Sequence, residues 1–512
     1  MRARSWIVAI GLIAVYAAIM IGTNTHFAIL DDESTIIAIA AHPVLPTIKL
    51  FLSGRSQHEH PPASDILLHL WLAATRYSFF MLRIFANIFY IAAALCIALT
   101  ARKLAGERAF WGMLIVSLAW PFAFHYGRIA GWYCVTMFLV ALLTGIYLKL
   151  LDGRDSVQPW AAFVVTSIVL VWTNYFGVAV LFLLLADLLI YHRDLAARRV
   201  KSVAAAGSLA VLSFLPLLRV TLTNVGAHGA KLSAIANWKQ MLAVAGYPLF
   251  SVFGSVAVAP WYFPLSIPIA LSVVALSLCL WFSPARKWFV YYALTLVLLG
   301  VSGHMDVKRM LFLLPWMFLA IGLAMFGSES KFPRAAMASV AVMMIAGWTG
   351  ILLGNHYATT NTREPWDQVA KVVAPDARSG ATVVSENQPF FLYLDYQLGM
   401  QSEMTNTTYA SYLGEDIYRS RGFKVLRIAA KGEVQEASLT GKVVVVNGSA
   451  ELDDVIATYK LNESLRRRCS VTGEYKAAPD PSQELKKNFV SSAYAMPYRV
   501  DVTWYECPVH AM

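Results

Sequence analysis

Three short segments of this 512-residue chain carry residue types whose spacing suits chemistry. Asp31-Asp32-Glu33 sets three carboxylates in a row just beyond an N-terminal apolar run. There a carboxylate is placed to take a proton from an attacking group, or to cap a helix over Ser34 to Ala41. His58-Glu59-His60-Pro61-Pro62 follows; the double proline fixes an extended approach and permits a helix start, which holds His60 rigidly. Histidines at i and i+2 without a third paired ligand match no strong metal-ligand spacing, so a positioned polar loop is the expectation and a metal is not. Lys308-Arg309 comes after Gly303-His304-Met305-Asp306, and Arg83 and Arg128 also sit near the ends of apolar runs. A guanidinium there suits a phosphate, which its planar fork meets with two bonds, or it snorkels to lipid headgroups.

The elements that must position these groups are mostly membrane helices. Hydrophobic residues make up 58% of the chain and charged residues 14%, against roughly 45–50% and about 25% in soluble domains. Mean hydropathy is +0.56. A cytosolic enzyme, a disordered chain and a disulfide scaffold are thereby excluded. The formal charge of +11 is explained by the basic bias of cytoplasmic loops, so no nucleic-acid partner is expected.

Apolar runs of membrane length lie at 5–23, 79–100, 109–127, 130–150, 158–173, 175–191, 202–222, 263–282, 288–303, 309–327 and 335–354, about eleven spans. The first is read as a retained helix rather than a signal peptide. Arg102, Lys103 and Arg108, then Arg154, then Arg193, Arg198, Arg199 and Lys201, then Arg286 and Lys287, then Lys331 and Arg334 fall in alternate connectors. That pattern places the N-terminus in the cytoplasm and everything after Asn355 outside. The candidate chemistry then collects on the outer face.

Two outer segments, 24–78 and 223–262, are too long for simple connectors. Each holds an apolar stretch too short to span: Ala63 to Arg76, with Ile66, Leu67, Leu68, Leu70, Trp71 and Leu72, and Gln240 to Val258. Both are expected as interfacial or re-entrant helices. The chain thus divides into a transmembrane domain, 1–354, and a soluble outer α/β domain, 355–512. In the latter Val383 to Ser385, Phe390 to Leu394 and Lys442 to Val446 read as strands, Trp366 to Val373 and Leu452 to Lys460 as helices. Cys469 and Cys507 both lie in it, free or paired as an oxidising compartment allows, and a disulfide is the expectation.

In order and spacing these residues resemble the polytopic GT-C glycosyltransferases that use polyprenyl-phosphate sugars, including protein O-mannosyltransferases and the lipid A aminoarabinose and galacturonic acid transferases. Asp32-Glu33 is similar to their Asp-Glu motif in the first outer loop. His60-Pro61-Pro62 is similar to their His-Pro-Pro-Leu element with its amphipathic helix, and Arg83 to the arginine that opens the next span. Thr173-Asn174-Tyr175-Phe176-Gly177 resembles a Thr-His-Tyr-Phe-Gly segment, and Arg309-Met310-Leu311 an Arg-Tyr-Leu segment ahead of Leu314-Pro315. Departures are Ala63 for Leu, Asn174 for His and Met310 for Tyr. The family's Ala-Arg-x-Tyr appears as Ala130-Gly131-Trp132-Tyr133, with Arg128 as the available substitute. The resemblance covers roughly residues 1 to 330.

The resemblance implies a GT-C-like fold and an inverting sugar transfer on the outer face of a bacterial inner membrane. Asp32 would be the general base; Arg309, with Lys308 and Arg83, would meet the leaving phosphate; Glu33, His60, Arg128, Asn174 and Tyr175 would shape the site. The donor would be a polyprenyl-phosphate sugar, the acceptor a lipid, glycan or protein, and the chain a monomer among membrane lipids. No cofactor is implied, because a phosphate leaves without a bound cation. Trp132, Trp261 and Tyr262 are candidates to stack on a sugar. The rival class is a transporter or flippase for an anionic lipid or glycolipid, which would place ionisable residues near the midplane. No related halves are evident, and Asp187, near the inner end of its span, is the clear acidic residue within one. A third class is a non-catalytic envelope scaffold.

Overall fold

The computed structural model describes residues 3–24, 31–41, 43–53, 60–75, 79–152, 157–233, 246–301, 307–353, 366–400, 415–428, 439–448, 456–477 and 500–508. Among them seven helices are long and apolar enough to cross a membrane. The chain is therefore an integral membrane protein. In lipid a spanning segment must satisfy its own backbone groups, and a helix does so locally, which is why apolar runs become helices one by one.

The chain separates into two compact units: Met1–Thr25, Ile48–Leu68 and Phe79–Tyr357 form the first, and His26–Thr47, His69–Ser78 and Ala358–Met512 the second. They are not a single cut of the sequence, since pieces of the 24–78 segment fold with the C-terminal residues.

In the first unit α1 is Ala3–Asn24, α5 Phe79–Ala105, α6 Glu107–Ala119, α7 Pro121–Tyr126, α8 Trp132–Leu151, α9 Val157–Thr173 and α10 Gly177–Tyr191. After the short α11, Arg193–Arg198, come α12 Val200–Ser233, α13 Tyr247–Gly254, α14 Phe263–Trp281 and α15 Arg286–Val301. A 3-10 turn, Lys308–Leu313, runs into α16, Leu314–Phe326, and α17, Pro333–Leu353, follows. The hub is α5, packed against α8, α6 and α16, while α14 packs on α17. Gly322 lets α16 approach α6: a Cβ there would lie 2.8 Å from Met113 Cγ. Small residues at helix contacts serve this close approach in membranes.

The apolar run expected to span 109–127 is broken. Trp120, at φ −66° and ψ 120°, separates α6 from α7, and Pro121 opens the new helix. The residue before a proline is driven out of the helical region, which is the physical cause of the break. The expected stretches 63–76 and 240–258 contain α4, Ala63–Ala74, and α13.

In the second unit α2 is Asp31–Ala40; α3, Val44–Leu52, follows it and is divided between the units after Thr47. The C-terminal residues form α18 Trp366–Arg378, β1 Thr382–Ser385, α19 Gln388–Leu398, α20 Glu415–Ser420, β2 Lys424–Arg427, β3 Gly441–Gly448, α21 Ile456–Arg468, β4 Ser470–Ala477 and β5 Val500–Cys507. The sheet order is β2-β1-β3-β5-β4. β1 pairs parallel with β2 and β3, and β5 antiparallel with β3 and β4. Val384, Val443, Val445, Leu461, Leu465 and Tyr505 form a buried core around a disulfide between Cys469 and Cys507.

One element differs in kind from expectation: Phe390 to Leu394 is the middle of α19, not a strand. Asn387 and Pro389 begin that helix and Gly399, at φ 75°, ends it. A five-residue apolar run does not itself distinguish a buried strand from a buried helix, and here the terminal signals decide.

Candidate functional site

The turn between α7 and α8 gathers most of the candidate residues of the first unit. Arg128 is fully buried there, its Nε donating to the Phe124 carbonyl at 3.1 Å and its guanidinium 4.2 Å from the Phe124 ring centre. Arg83, from α5, is also buried, and its Nη1 donates to the Arg128 carbonyl at 3.2 Å. Burial disfavours the charged form of Arg128, and the neighbouring Arg83 charge adds to that effect. Asn87, one helical turn after Arg83, closes the same turn by donating to the Gly127 carbonyl at 3.0 Å, and Asn24 of α1 donates to Asn87 at 2.7 Å.

Gly131, at φ 135° and ψ −164°, precedes α8. An L side chain is strained in that conformation. The glycine at this position is what the backbone conformation accommodates, and Arg128 supplies a guanidinium to the same turn. His60 lies with its ring centre 4.0 Å from that of Trp132, the first residue of α8. Trp132 is itself buried, beside His60 and Tyr133. Trp261 is 44% exposed.

Lys308 and Arg309 open the 3-10 turn, which packs against α7 and α8 on either side of Arg128. Both side chains are half-buried. The Phe312 ring of this turn stacks on Phe176 at 6.3 Å. Phe176 belongs to the α9–α10 connection, where buried Asn174 accepts a hydrogen bond from the Phe176 amide at 2.9 Å and sets the turn; Tyr175 lies between. Arg83 and Arg128 are thus in direct contact, while His60, the Lys308-Arg309 turn and the Asn174-Tyr175 connection lie on neighbouring elements of the same unit, linked through Trp132, the packing of the turn on α7 and α8, and Phe312 on Phe176. Two buried arginines and a half-buried basic pair thus lie on adjoining turns of one unit, and a guanidinium is a group suited to an anion such as a phosphate.

Asp32 and Glu33 belong to the second unit. α2 begins at Asp31, so the acidic triplet is its first turn rather than a cap before it, in the position that the helix dipole favours for negative charge. Glu33 is fully buried. The side chain of Asp32, and His58 and Glu59, lie outside the described residues. Among the described residues no group of three or more His, Cys, Asp or Glu gathers as metal ligands do.

Sequence reasoning passed over His69, whose Nδ1 donates to the Ala40 carbonyl at 2.8 Å. Its signal was present: a titratable side chain inside the apolar run Leu67, Leu68, Leu70, Trp71. Asp187 is fixed rather than free. It accepts from Tyr147, from Tyr291 at 2.5 Å and from Lys287 at 3.0 Å.

The fold is that of a polytopic helical membrane protein with a GT-C-like architecture and a C-terminal α/β domain. No family model and no curated protein matches the chain. Two solved structures share its fold over 98% of this chain and 98% of theirs, both ArnT from Cupriavidus metallidurans at 14% identity. They are the apo state, with a TM-score of 0.56, and the state bound to undecaprenyl phosphate, at 0.53. The sequence resemblance stops near residue 330, whereas the likeness of fold extends through the C-terminal domain.

Proposed function

We propose that this chain is a glycosyltransferase that moves a sugar from a polyprenyl phosphate to a lipid, glycan or protein acceptor on the outer face of a bacterial inner membrane. The observation that supports it best is the likeness of fold along the whole chain to a structure that holds undecaprenyl phosphate. Asp32 is the general base: it takes a proton from the acceptor hydroxyl or amine as that group attacks the anomeric carbon, and the configuration inverts in a single displacement. The bond to polyprenyl phosphate breaks, and its growing negative charge is met by Arg309, with Lys308 and Arg83, donors fixed before reaction. Glu33, His60, Arg128, Asn174 and Tyr175 shape the site. No divalent metal takes part, the enzyme is a monomer, its N-terminus is cytoplasmic and its C-terminal domain periplasmic.

The test is transfer by purified protein in detergent from a panel of radiolabelled polyprenyl-phosphate sugars to a crude envelope acceptor, with and without chelator. Loss of a general base costs roughly 10²–10⁴-fold, so Asp32→Asn is expected to lose nearly all transfer while remaining folded. Near wild-type transfer by Asp32→Asn would remove the base assignment. Activity lost in chelator and restored by one metal would return attention to His58 and His60. A folded wild-type protein that neither transfers nor hydrolyses any donor, but moves labelled lipid across liposomes, would establish a flippase instead.

A further inference from the structure

The helix that carries the acidic pair is held at two places inside the second unit. Along its length α2 packs against α19. Glu33, Ile36, Ile37 and Ala40 are each at most 1% exposed, and their i, i+3, i+4, i+7 spacing makes them one face. In α19 the run from Phe390 to Leu394 is buried throughout. The second hold is at the far end, where the last carbonyls of a helix have no partner within it. There the Ala40 carbonyl accepts the hydrogen bond from His69 Nδ1. Because a carbonyl only accepts, this bond puts the proton on Nδ1. His69 stands midway along α4, the helix that follows His60-Pro61-Pro62.

We infer that His69 is a positioning residue for sugar transfer: by holding the C-terminal carbonyl of α2 it fixes the axis of the helix whose first turn carries Asp32. The inference rests on Asp32 as general base. It also gives the C-terminal domain a task, since α19 is the surface on which α2 is seated. Ala40 lies eight residues after Asp32, about 12 Å along the axis at 1.5 Å per residue. A tilt of about 5° at the held end then moves the first turn by about 1 Å. Displacements of that size cost about 10²-fold in reactions that depend on alignment. A single imidazole bond to a helix end is a modest local interaction, one that sets the orientation of the helix without deciding whether the protein folds.

The experiment compares wild type, His69→Ala, His69→Asn and Asp32→Asn as full-length protein in detergent, with the polyprenyl-phosphate sugar that wild type uses. Each is assayed for kcat, donor KM, thermal shift by undecaprenyl phosphate, and amide exchange across Asp31–Ala40. His69→Ala is expected to lose about 10- to 100-fold in kcat, with donor KM and the lipid-induced shift within about 2-fold of wild type. Its α2 amides should exchange faster. His69→Asn, whose amide stands where Nδ1 does, should recover kcat to within about 3-fold of wild type. Should the alanine variant fail to fold, His69→Leu keeps the bulk and removes the donor. Unchanged kcat in His69→Ala or His69→Leu, with Asp32→Asn inactive, would overturn this inference and leave the base in place. Equal losses in the asparagine and alanine variants would also overturn it. Full transfer by Asp32→Asn would instead overturn the assignment on which it stands.

Discussion

Two buried polar clusters of the membrane unit use charge in opposite ways. At Asp187 one carboxylate receives Tyr147, Tyr291 and Lys287, so a negative charge taken out of water is returned a cation and two hydroxyl donors. It joins α8, α10 and α15, and every group in it is explained by holding those helices. At the α7–α8 turn two guanidiniums of like sign, Arg83 and Arg128, are buried together. Under the proposed function their charge serves the donor phosphate, which a guanidinium can meet with two parallel bonds. The first cluster is a structural clamp and the second is the one proposed to meet an anion; a carboxylate with three fixed donors is poorly suited to release a cargo, which weakens the transporter reading of Asp187.

The comparison breaks most visibly at the clamp. Asp187→Ala leaves two hydroxyls and an ammonium without their acceptor, and the unfolding midpoint in detergent should fall by the equivalent of about 3 kcal/mol. That is the low end for a broken buried pair, because the Lys287 side chain is 32% exposed. Next is Arg83→Ala: undecaprenyl phosphate binding, read by titration, should weaken about 10- to 100-fold, the worth of one charge-assisted bond. Its unfolding midpoint should fall less than that of Asp187→Ala. Equal destabilisation by the two substitutions, with lipid binding intact in both, would erase the distinction drawn between the clusters.

The smallest effect sharpens it with a buried acid in the C-terminal domain. Asp395 accepts from the Tyr418 hydroxyl and, among the described residues, faces no cation, so burial holds its pKa well above the ordinary carboxylate range. The folded state therefore keeps a proton that the unfolded chain releases. This contribution to stability is fully present below about pH 4, the unfolded pKa, and is lost as pH rises toward the folded one. Asp395→Asn keeps an acceptor for Tyr418 and removes the titration. The variant's melting temperature should match wild type near pH 4 and exceed it by a few degrees near pH 8. A gap that narrows with rising pH would contradict the sign.

Several features of this chain were legible in one dimension because they are local. An apolar run in lipid must bond its own backbone, so length and composition suffice to place helices such as Trp132–Leu151 and Pro333–Leu353. The double proline announces α4, the acidic triplet a helix near residue 34 that in fact begins three residues earlier, and the two cysteines of the C-terminal domain the disulfide that joins them. What tertiary structure alone decided are the contacts between distant segments, which leave no period in sequence. Pro121 splits one apolar run into two helices, and Phe390 to Leu394 turns out helical because its flanks carry helix ends. His69 meets a carbonyl 29 residues earlier, and Tyr291 meets Asp187 across 104. Local bonding is written in neighbouring residues; the partner of a buried polar group is chosen by packing, and packing exists only once the helices have been brought together.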